Sequence, residues 1–146
     1  MSAATKIKTI LGLLMMLAQN YNESLPMVLV IDDNPTNLDV VIEHLGKEAI
    51  DVRAATSGME GLELARFLEP DLILLDVLMP DMNGYEVCRR IKRDPQLANI
   101  PVVFLSALGE QVRRDHGFRV GGADYLQKPF VAEELKSSVW NNLAVA

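Results

Sequence analysis

The chain has 146 residues, of which 49% are hydrophobic and 23% charged, and its formal net charge is −6. This length predicts one domain with a sizeable core, and the acidic balance argues against nucleic acid or an anionic membrane surface as a direct partner. The single cysteine, Cys88, excludes an internal disulfide, and no cysteine–histidine cluster has the spacing of zinc ligands.

The first 26 residues differ in composition from the rest of the chain. Lys6 and Lys8 precede an apolar run over residues 10–18, as in a secretory signal peptide. The run has about half of the ~20 residues that a membrane-spanning helix needs, and the polar, bulky residues after it offer no small-residue cleavage site. We therefore expect neither a signal peptide nor a membrane span here.

Apolar residues between Ile7 and Tyr21 recur at helical spacing. This pattern predicts an amphipathic N-terminal helix, with residues 22–26 as a linker to a domain over residues 27–146. Three locations for the helix stay open: against the domain, against a second copy of the chain, or against a neighbouring domain. A disordered N-terminal segment stays open as the alternative to a helix.

From Met27 onwards, short apolar runs alternate with stretches of helical periodicity. Asn34 followed by Pro35 is typical of a helix start, and Ser57 with Glu60 forms a capping box. The apolar runs predict five strands, at residues 27–31, 50–55, 72–75, 101–105 and 123–127.

The third run, Leu72 to Leu75, is apolar at every position and ends at Asp76. A continuous apolar run of this length suits a strand that is buried on both faces in the middle of a parallel sheet. Five strands alternating with helices predict an α/β domain with a doubly wound parallel sheet and right-handed crossovers. The pattern alone leaves the order of the strands open.

Polar side chains occur at the ends of these strands: Asp32, Asp33, Asp76, Ser106 and Lys128. Taken singly, each is explained by a turn, a helix cap or a surface charge. Parallel strands bring their carboxyl ends to one edge, where three carboxylates would repel one another unless one is protonated or a divalent cation binds. Mg²⁺ prefers such oxygen ligands and shares them with phosphate, so the pattern indicates a site for a phosphoryl group held between metal and lysine.

Four segments resemble the receiver domains of two-component response regulators: Asp32–Asn34, Leu75–Gly84, Leu105–Ala107 and Asp124–Phe130. The resemblance covers about residues 27 to 143. It implies a flavodoxin-like (βα)5 fold with the strand order 2-1-3-4-5, here with an extra N-terminal helix, and either a chemotaxis-type single domain or a piece of a hybrid protein.

The resemblance also implies roles for the polar residues. Asp76 is expected to be the phosphoacceptor and Lys128 to pair with the phosphoryl group. Asp33 is expected to bind Mg²⁺ directly and Asp32 mainly through water, with Asp76 and the backbone carbonyl of Leu78 as the other ligands.

Switching residues follow from the same resemblance. Ser106 is expected to move towards the phosphoryl group and Tyr125 to turn inward with it, and the Lys128–Pro129 peptide bond is expected to be cis. The helix over residues 110–119 has few large apolar residues. We therefore expect phosphorylation to shift the surface formed by this helix, the Tyr125 strand and the last helix.

The implied partners are a histidine kinase or histidine phosphotransfer protein and a downstream protein target. Homodimerisation stays open, whereas direct nucleic-acid binding and membrane insertion are not expected. The implied location is the cytoplasm. The domain would catalyse only its own phosphorylation and dephosphorylation, and no output domain is expected after the last helix.

Two apolar residues depart from many receivers: Leu78, two residues after Asp76, and Leu108, two after Ser106. Some receivers place polar groups there that guide a hydrolytic water, so slow autodephosphorylation is expected. A phosphatase of the haloacid-dehalogenase type would need an aspartate at position 78. A receiver-like module that is never phosphorylated stays open as the alternative.

Overall fold

The computed structural model describes residues 2–107 and 111–145, and it describes the side chains of these residues except at 17–24, 111–114 and 144–145. Leu108 and Glu110, which entered the predictions above, lie outside the described residues. No helix in the described part of the chain is long and apolar enough to cross a membrane.

The described chain begins with a helix, after which five strands and five further helices alternate. The helices are α1 Ala3–Ser24, α2 Pro35–Leu45, α3 Gly58–Leu68, α4 Gly84–Arg93, α5 Gln111–Arg119 and α6 Ala132–Val145. The strands are β1 Met27–Ile31, β2 Asp51–Ala55, β3 Leu72–Asp76, β4 Val102–Ser106 and β5 Asp124–Gln127.

All five strands pair in parallel, in the order β2-β1-β3-β4-β5. The predicted α/β class and the flavodoxin-like order are both confirmed. β3 lies in the centre, where all five of its residues are buried, because its unbroken apolar run can contact helices on both faces of the sheet.

Alternate residues of β3 point into two separate cores. Ile73 and Leu75 pack in the core beneath α3 and α4, whereas Leu72 and Leu74 pack in the core beneath α2 and α6. The helices α2, α3, α4 and α6 each contribute a narrow apolar face, as their periodicity predicts. The two cores hold the strands rigidly and leave the carboxyl edge of the sheet for polar residues.

Local capping follows the sequence signals. The Asn34 side chain accepts hydrogen bonds from the backbone at the start of α2, and the Ser57 hydroxyl accepts one from the Glu60 N–H at the start of α3. Asn83 caps α4 in the same way. The Lys128–Pro129 bond is cis, as expected.

The N-terminal helix is longer than the sequence pattern predicted. Residues 22–24, predicted as part of the linker, continue α1 in the structure, so only Leu25 and Pro26 connect the helix to β1. The described side chains of α1, up to Met16, are all exposed. This part of the helix therefore stands in solvent and does not pack on the domain.

The cysteine at position 88 is expected to resist alkylation in the folded protein. Its side chain is fully buried and its thiol lies 3.6 Å from the Val120 carbonyl oxygen. Burial raises the pKa of Cys88 to about 11, so roughly one thiol in a thousand is a thiolate at pH 8. Intact-mass measurement of iodoacetamide labelling should show a rate at least ~100-fold below that in denaturant, and equal rates would contradict the burial.

Candidate functional site

The ends of β1, β3 and β4 bring polar residues to the carboxyl edge of the sheet. Asp32 follows β1 directly, and Asp76 and Ser106 are the last residues of β3 and β4. Strand register places Ile31 beside Leu75, so Asp32 and Asp76, which follow these two residues, are neighbours. The predicted convergence of these polar residues on one edge is therefore present.

Lys128 joins two of the carboxylates. Its ammonium donates hydrogen bonds to Asp32 Oδ2 at 2.8 Å and to Asp76 Oδ1 at 3.0 Å. The Lys128 backbone N–H donates to the Ser106 carbonyl oxygen at 2.7 Å, which holds the lysine against the end of β4. The side chain is thus fixed from both ends above the central strands.

The carboxylates of Asp32, Asp33 and Asp76 form a tight cluster. Each offers an oxygen atom, and these atoms all lie within 4.8 Å of one another. Asp32 and Asp76 are 1% and 7% exposed, respectively, so water screens their charges poorly. The cluster therefore carries unfavourable charge density that a cation would relieve.

The pKa values follow from this crowding. Burial raises the pKa of the Asp76 carboxyl to about 6; Lys128 opposes the rise, while the negative charges of Asp32 and Asp33 add to it. Burial disfavours the Lys128 ammonium, but its bonds to Asp32 and Asp76 prevail and raise its pKa. Asp76 is thus mostly ionised at neutral pH, as a nucleophile must be.

The polar residues line an open cleft with a cavity volume of about 330 Å³. Leu78 and Ala107 form part of its wall, and the Leu78 side chain is 58% exposed. Asn34 and Asn37 also line the cleft. Sequence reasoning treated Asn34 only as a cap and missed Asn37, whose position in the first turn of α2 was the available signal.

Ser106 and Tyr125, the two predicted switch residues, lie on the neighbouring strands β4 and β5, where Phe104 pairs with Tyr125. Ser106 is buried at the cleft wall. Tyr125 is 6% exposed and lies in the core, with its ring centroid 6.1 Å from that of Phe104. The tyrosine therefore occupies an inward position in this structure, and its movement stays a prediction.

Two residues that position the loop after β3, Asp81 and Gly84, belong to the Leu75–Gly84 motif but were assigned no role from the sequence. The Asp81 carboxylate accepts hydrogen bonds from the Gly58 and Met59 backbone N–H groups, both at 3.1 Å, and thereby ties the loop to the start of α3. These bonds span more than twenty positions, so no local pattern could reveal them. Gly84 approaches the Asp76 backbone so closely that a Cβ atom there would lie 2.2 Å from the Asp76 carbonyl oxygen.

The clustered residues fit a small divalent cation. The donors are carboxylate oxygens, the ligands that Mg²⁺ prefers, and the cleft leaves room for waters and for a phosphate oxygen. The charge of such a cation would offset the repulsion among the three carboxylates. Asp32, Asp33 and Asp76 would hold it, and Leu78 lines the same cleft.

The protein is a parallel five-stranded α/β domain with an aspartate cluster and a lysine at the carboxyl edge of its sheet. The sequence profile of the response regulator receiver domain matches residues 28–140. The chain belongs to this family and is a receiver domain of two-component signalling. Receiver domains bind Mg²⁺ at such an acidic cluster, interact with histidine kinases and downstream effectors, and are generally not catalytic enzymes in their own right.

Curated relatives include regulators of several architectures. The chain is 44% identical to the DNA-binding dual master transcriptional regulator RpaA of Synechocystis over 79% of this chain and 48% of RpaA. It is 33% identical to protein PilH of Pseudomonas aeruginosa over 77% of this chain and 93% of PilH. The chain thus spans about half the length of RpaA, and only 7% of the hybrid signal transduction histidine kinase D of Dictyostelium discoideum, which it matches at 40% identity over 80% of its own length.

Solved structures agree with the fold. The receiver domain of the Francisella response regulator 1452 superposes with a TM-score of 0.77 at 32% identity, over 82% of this chain and 98% of that one. The chemotaxis protein CheY4 of Vibrio cholerae superposes with a TM-score of 0.77 at 28% identity, over 81% of this chain and 98% of that one.

Proposed function

We propose that Asp76 accepts a phosphoryl group from the phosphohistidine of a histidine kinase or phosphotransfer protein. The observation that carries this proposal is the Lys128 ammonium, hydrogen-bonded to both Asp32 and Asp76 beside the Asp33 carboxylate. Lys128 and the acidic cluster give Asp76 a cation on each side when Mg²⁺ is bound, and phosphoryl transfer depends mainly on such positioning and charge neutralisation.

The transfer joins an Asp76 carboxylate oxygen to phosphorus and breaks the phosphorus–nitrogen bond of the donor. The histidine leaves with the bonding electron pair and takes up a proton, and Asp76 becomes an acyl phosphate. Asp32, Asp33 and Asp76 would hold Mg²⁺, which would supply positive charge next to the transferring phosphoryl oxygens. Lys128 keeps one ammonium hydrogen bond to Asp32 and turns its other donors to the phosphoryl group, and the Ser106 hydroxyl donates a further one.

The donor protein docks beside the cleft. A second cavity of about 290 Å³ adjoins it and is walled by Val40 and Val41 of α2 and by Pro129 and Phe130 after β5. Val40 is 37% exposed and Val131, next to this wall, is 61% exposed. This apolar rim beside a charged cleft suits a helix that carries the phosphohistidine.

The switch runs from Ser106 through the core to α5. Phe104 on β4 lies between Tyr125 and Tyr85, with ring centroids 6.1 and 5.2 Å away, and His116 of α5 meets the Tyr85 ring edge-on at 4.5 Å. Phe118 of α5 is 46% exposed. Among the described side chains of α5, Asp115, Phe118 and Arg119 are exposed. A segment with an exposed surface of this kind rearranges at low cost, and the α5–β5–α6 surface then presents an altered face to a downstream protein in the cytoplasm.

Acetyl phosphate with Mg²⁺ is expected to phosphorylate the protein at Asp76. Intact-mass measurement should show one added phosphoryl group that hydroxylamine removes, as for an acyl phosphate. Asp76→Asn, which keeps the shape of the side chain, should show no added phosphoryl group. Asp39→Asn, at an exposed position of α2, should behave as the wild type. Lack of phosphorylation in the wild type would support the alternative, a receiver-like module that acts by binding alone.

The phosphorylated form is expected to persist because Leu78 places an apolar side chain at the cleft wall. Leu78→Asn supplies a polar group that can orient the attacking water, and the decay of phosphorylated protein should accelerate by about tenfold. Decay is followed by intact mass after removal of acetyl phosphate, with the exposed Val131→Asn as a control. An unchanged lifetime in Leu78→Asn would refute the role of this side chain.

A further inference from the structure

The apolar surface of α1 contributes no residue to the cleft around Asp76. Seven large apolar side chains between positions 7 and 16 are 53–67% exposed: Ile7, Ile10, Leu11, Leu13, Leu14, Met15 and Met16. A continuous apolar surface of this kind marks an interaction site on a water-soluble domain. A helix that receives no support from packing is also marginal in water, so a partner would stabilise α1 as well as cover it.

The spacing of the apolar residues identifies the geometry of that partner. Ile7, Leu14 and Tyr21 are seven residues apart, and Ile10 and Leu17 fall three residues after the first two. These are the a and d positions of a heptad repeat, which spans the 22 residues of α1. Such a repeat predicts a left-handed coiled coil.

The same register accounts for most of the remaining apolar surface. Leu11 and Leu13 fall at positions e and g, which flank the seam of a coiled coil. Lys6 also falls at a g position, opposite Leu11 of the second strand, where its aliphatic stem can cover that leucine. Only Met15 and Met16, at positions b and c, would stay outside the contact.

The charges of α1 favour another protein helix over a lipid surface. A helix that lies in a membrane interface needs a polar face rich in lysine and arginine, whereas α1 contains only Lys6, Lys8 and one acid, Glu23. The chain as a whole carries a net charge of −6, which anionic headgroups repel. A second copy of α1 offers the same seam and closes the assembly with two-fold symmetry.

We propose that α1 is a homodimerisation element that forms a parallel two-stranded coiled coil with α1 of a second copy. The two-residue connection at Leu25 and Pro26 then places both receiver domains at the same end of the coiled coil, next to each other. The proposal does not depend on phosphorylation of Asp76.

Sedimentation equilibrium of the full chain, at concentrations up to about 100 µM, tests the dimer; a dissociation constant in the micromolar range is expected for three heptads. Leu14→Glu, at an a position, should weaken association at least ~100-fold. Met15→Glu is the matched control outside the seam and should leave it unchanged. A monomeric wild type, or equal weakening by both substitutions, would overturn the proposal.

A disulfide cross-link tests the parallel orientation. Ala3 falls at a d position, so Ala3→Cys should form an intermolecular disulfide under glutathione buffer, whereas an antiparallel pair would hold these residues roughly 30 Å apart. A dimer without the cross-link would exclude the parallel arrangement.

Co-sedimentation with vesicles of phosphatidylcholine and phosphatidylserine in equal parts should be absent. A monomer that binds them, and loses binding in Leu14→Glu, would assign α1 to a membrane surface and overturn the proposal.

Discussion

Replacing Lys128 with methionine is expected to reduce phosphorylation by acetyl phosphate by about 100- to 1,000-fold. The substitution keeps the length of the side chain but removes the only ammonium that the described structure places between Asp32 and Asp76. Charge that develops on the transferring phosphoryl oxygens would then lack this partner. The rate is measured by intact mass at saturating Mg²⁺, so that a change in metal affinity does not mimic the effect.

The same substitution is expected to destabilise the fold by about 2–4 kcal/mol at pH 7.5, because it leaves two buried carboxylates without their cation. The loss should shrink at pH 5. The pKa of Asp76 is about 6 with Lys128 in place, and Lys128 lowers it. The Asp76 carboxyl is therefore largely neutral at pH 5 in both proteins and no longer needs a partner. Urea unfolding at both pH values measures the difference.

Lys136→Met is the matched control for Lys128→Met. Lys136 on α6 meets Glu133 at 3.8 Å, and the Glu133 side chain is 85% exposed. The Lys136 side chain is 25% exposed, but an ion pair this long with one well-solvated partner contributes about 0–1 kcal/mol. Methionine keeps the apolar stem of the side chain, so stability and phosphorylation should both stay near wild type. Equal effects of the two substitutions would mean that Lys128 acts as an ordinary surface charge.

Replacing Gly84 with alanine is expected to destabilise the domain by about 3 kcal/mol or more, the upper range for overpacking. The added Cβ would lie 2.2 Å from the Asp76 carbonyl oxygen and 3.0 Å from the Val77 Cα. These are backbone atoms, which cannot turn aside as a flexible side chain can. Either α4 or the end of β3 must move, and Asp76 with it.

Two other glycines provide a graded comparison for Gly84→Ala. A Cβ at Gly58 would meet side-chain atoms of Val87 and Met82 at 3.0 and 3.2 Å, and one at Gly12 would meet nothing within 4 Å. We expect the loss in unfolding free energy, measured in urea, to fall from Gly84→Ala through Gly58→Ala to Gly12→Ala. Gly12→Ala should leave the domain unchanged or stabilise α1 slightly. A wild-type stability of Gly84→Ala would show that the backbone at Asp76 yields easily.

The caps and strands illustrate what local pattern predicts well. Asn34 and Ser57 cap helices in the structure as their sequence context indicates, because a cap depends on residues within one turn. The burial of β3 followed from its unbroken apolar run. Such features need no knowledge of distant parts of the chain.

The N-terminal helix shows where local pattern stops. Its periodicity predicted a helix but left three partners open, and the structure places its described side chains in solvent. The end of the helix was also predicted too early, since the polar residues 22–24 continue it to Ser24. Polar residues often mark the point at which a chain leaves an apolar environment. A helix that is already exposed to solvent meets no such change and can continue through them.

By itself, the sequence determined the alternation of strands and helices, the α/β class and the polar residues at the strand ends, because periodicity and turn chemistry act over a few residues. The motifs added the family resemblance and, with it, the strand order. Only the tertiary structure decided that Lys128 bonds both Asp32 and Asp76, that Asp81 anchors its loop to α3, and that Gly84 touches the β3 backbone. These contacts join residues up to 96 positions apart, and their geometry depends on how two cores pack against one sheet.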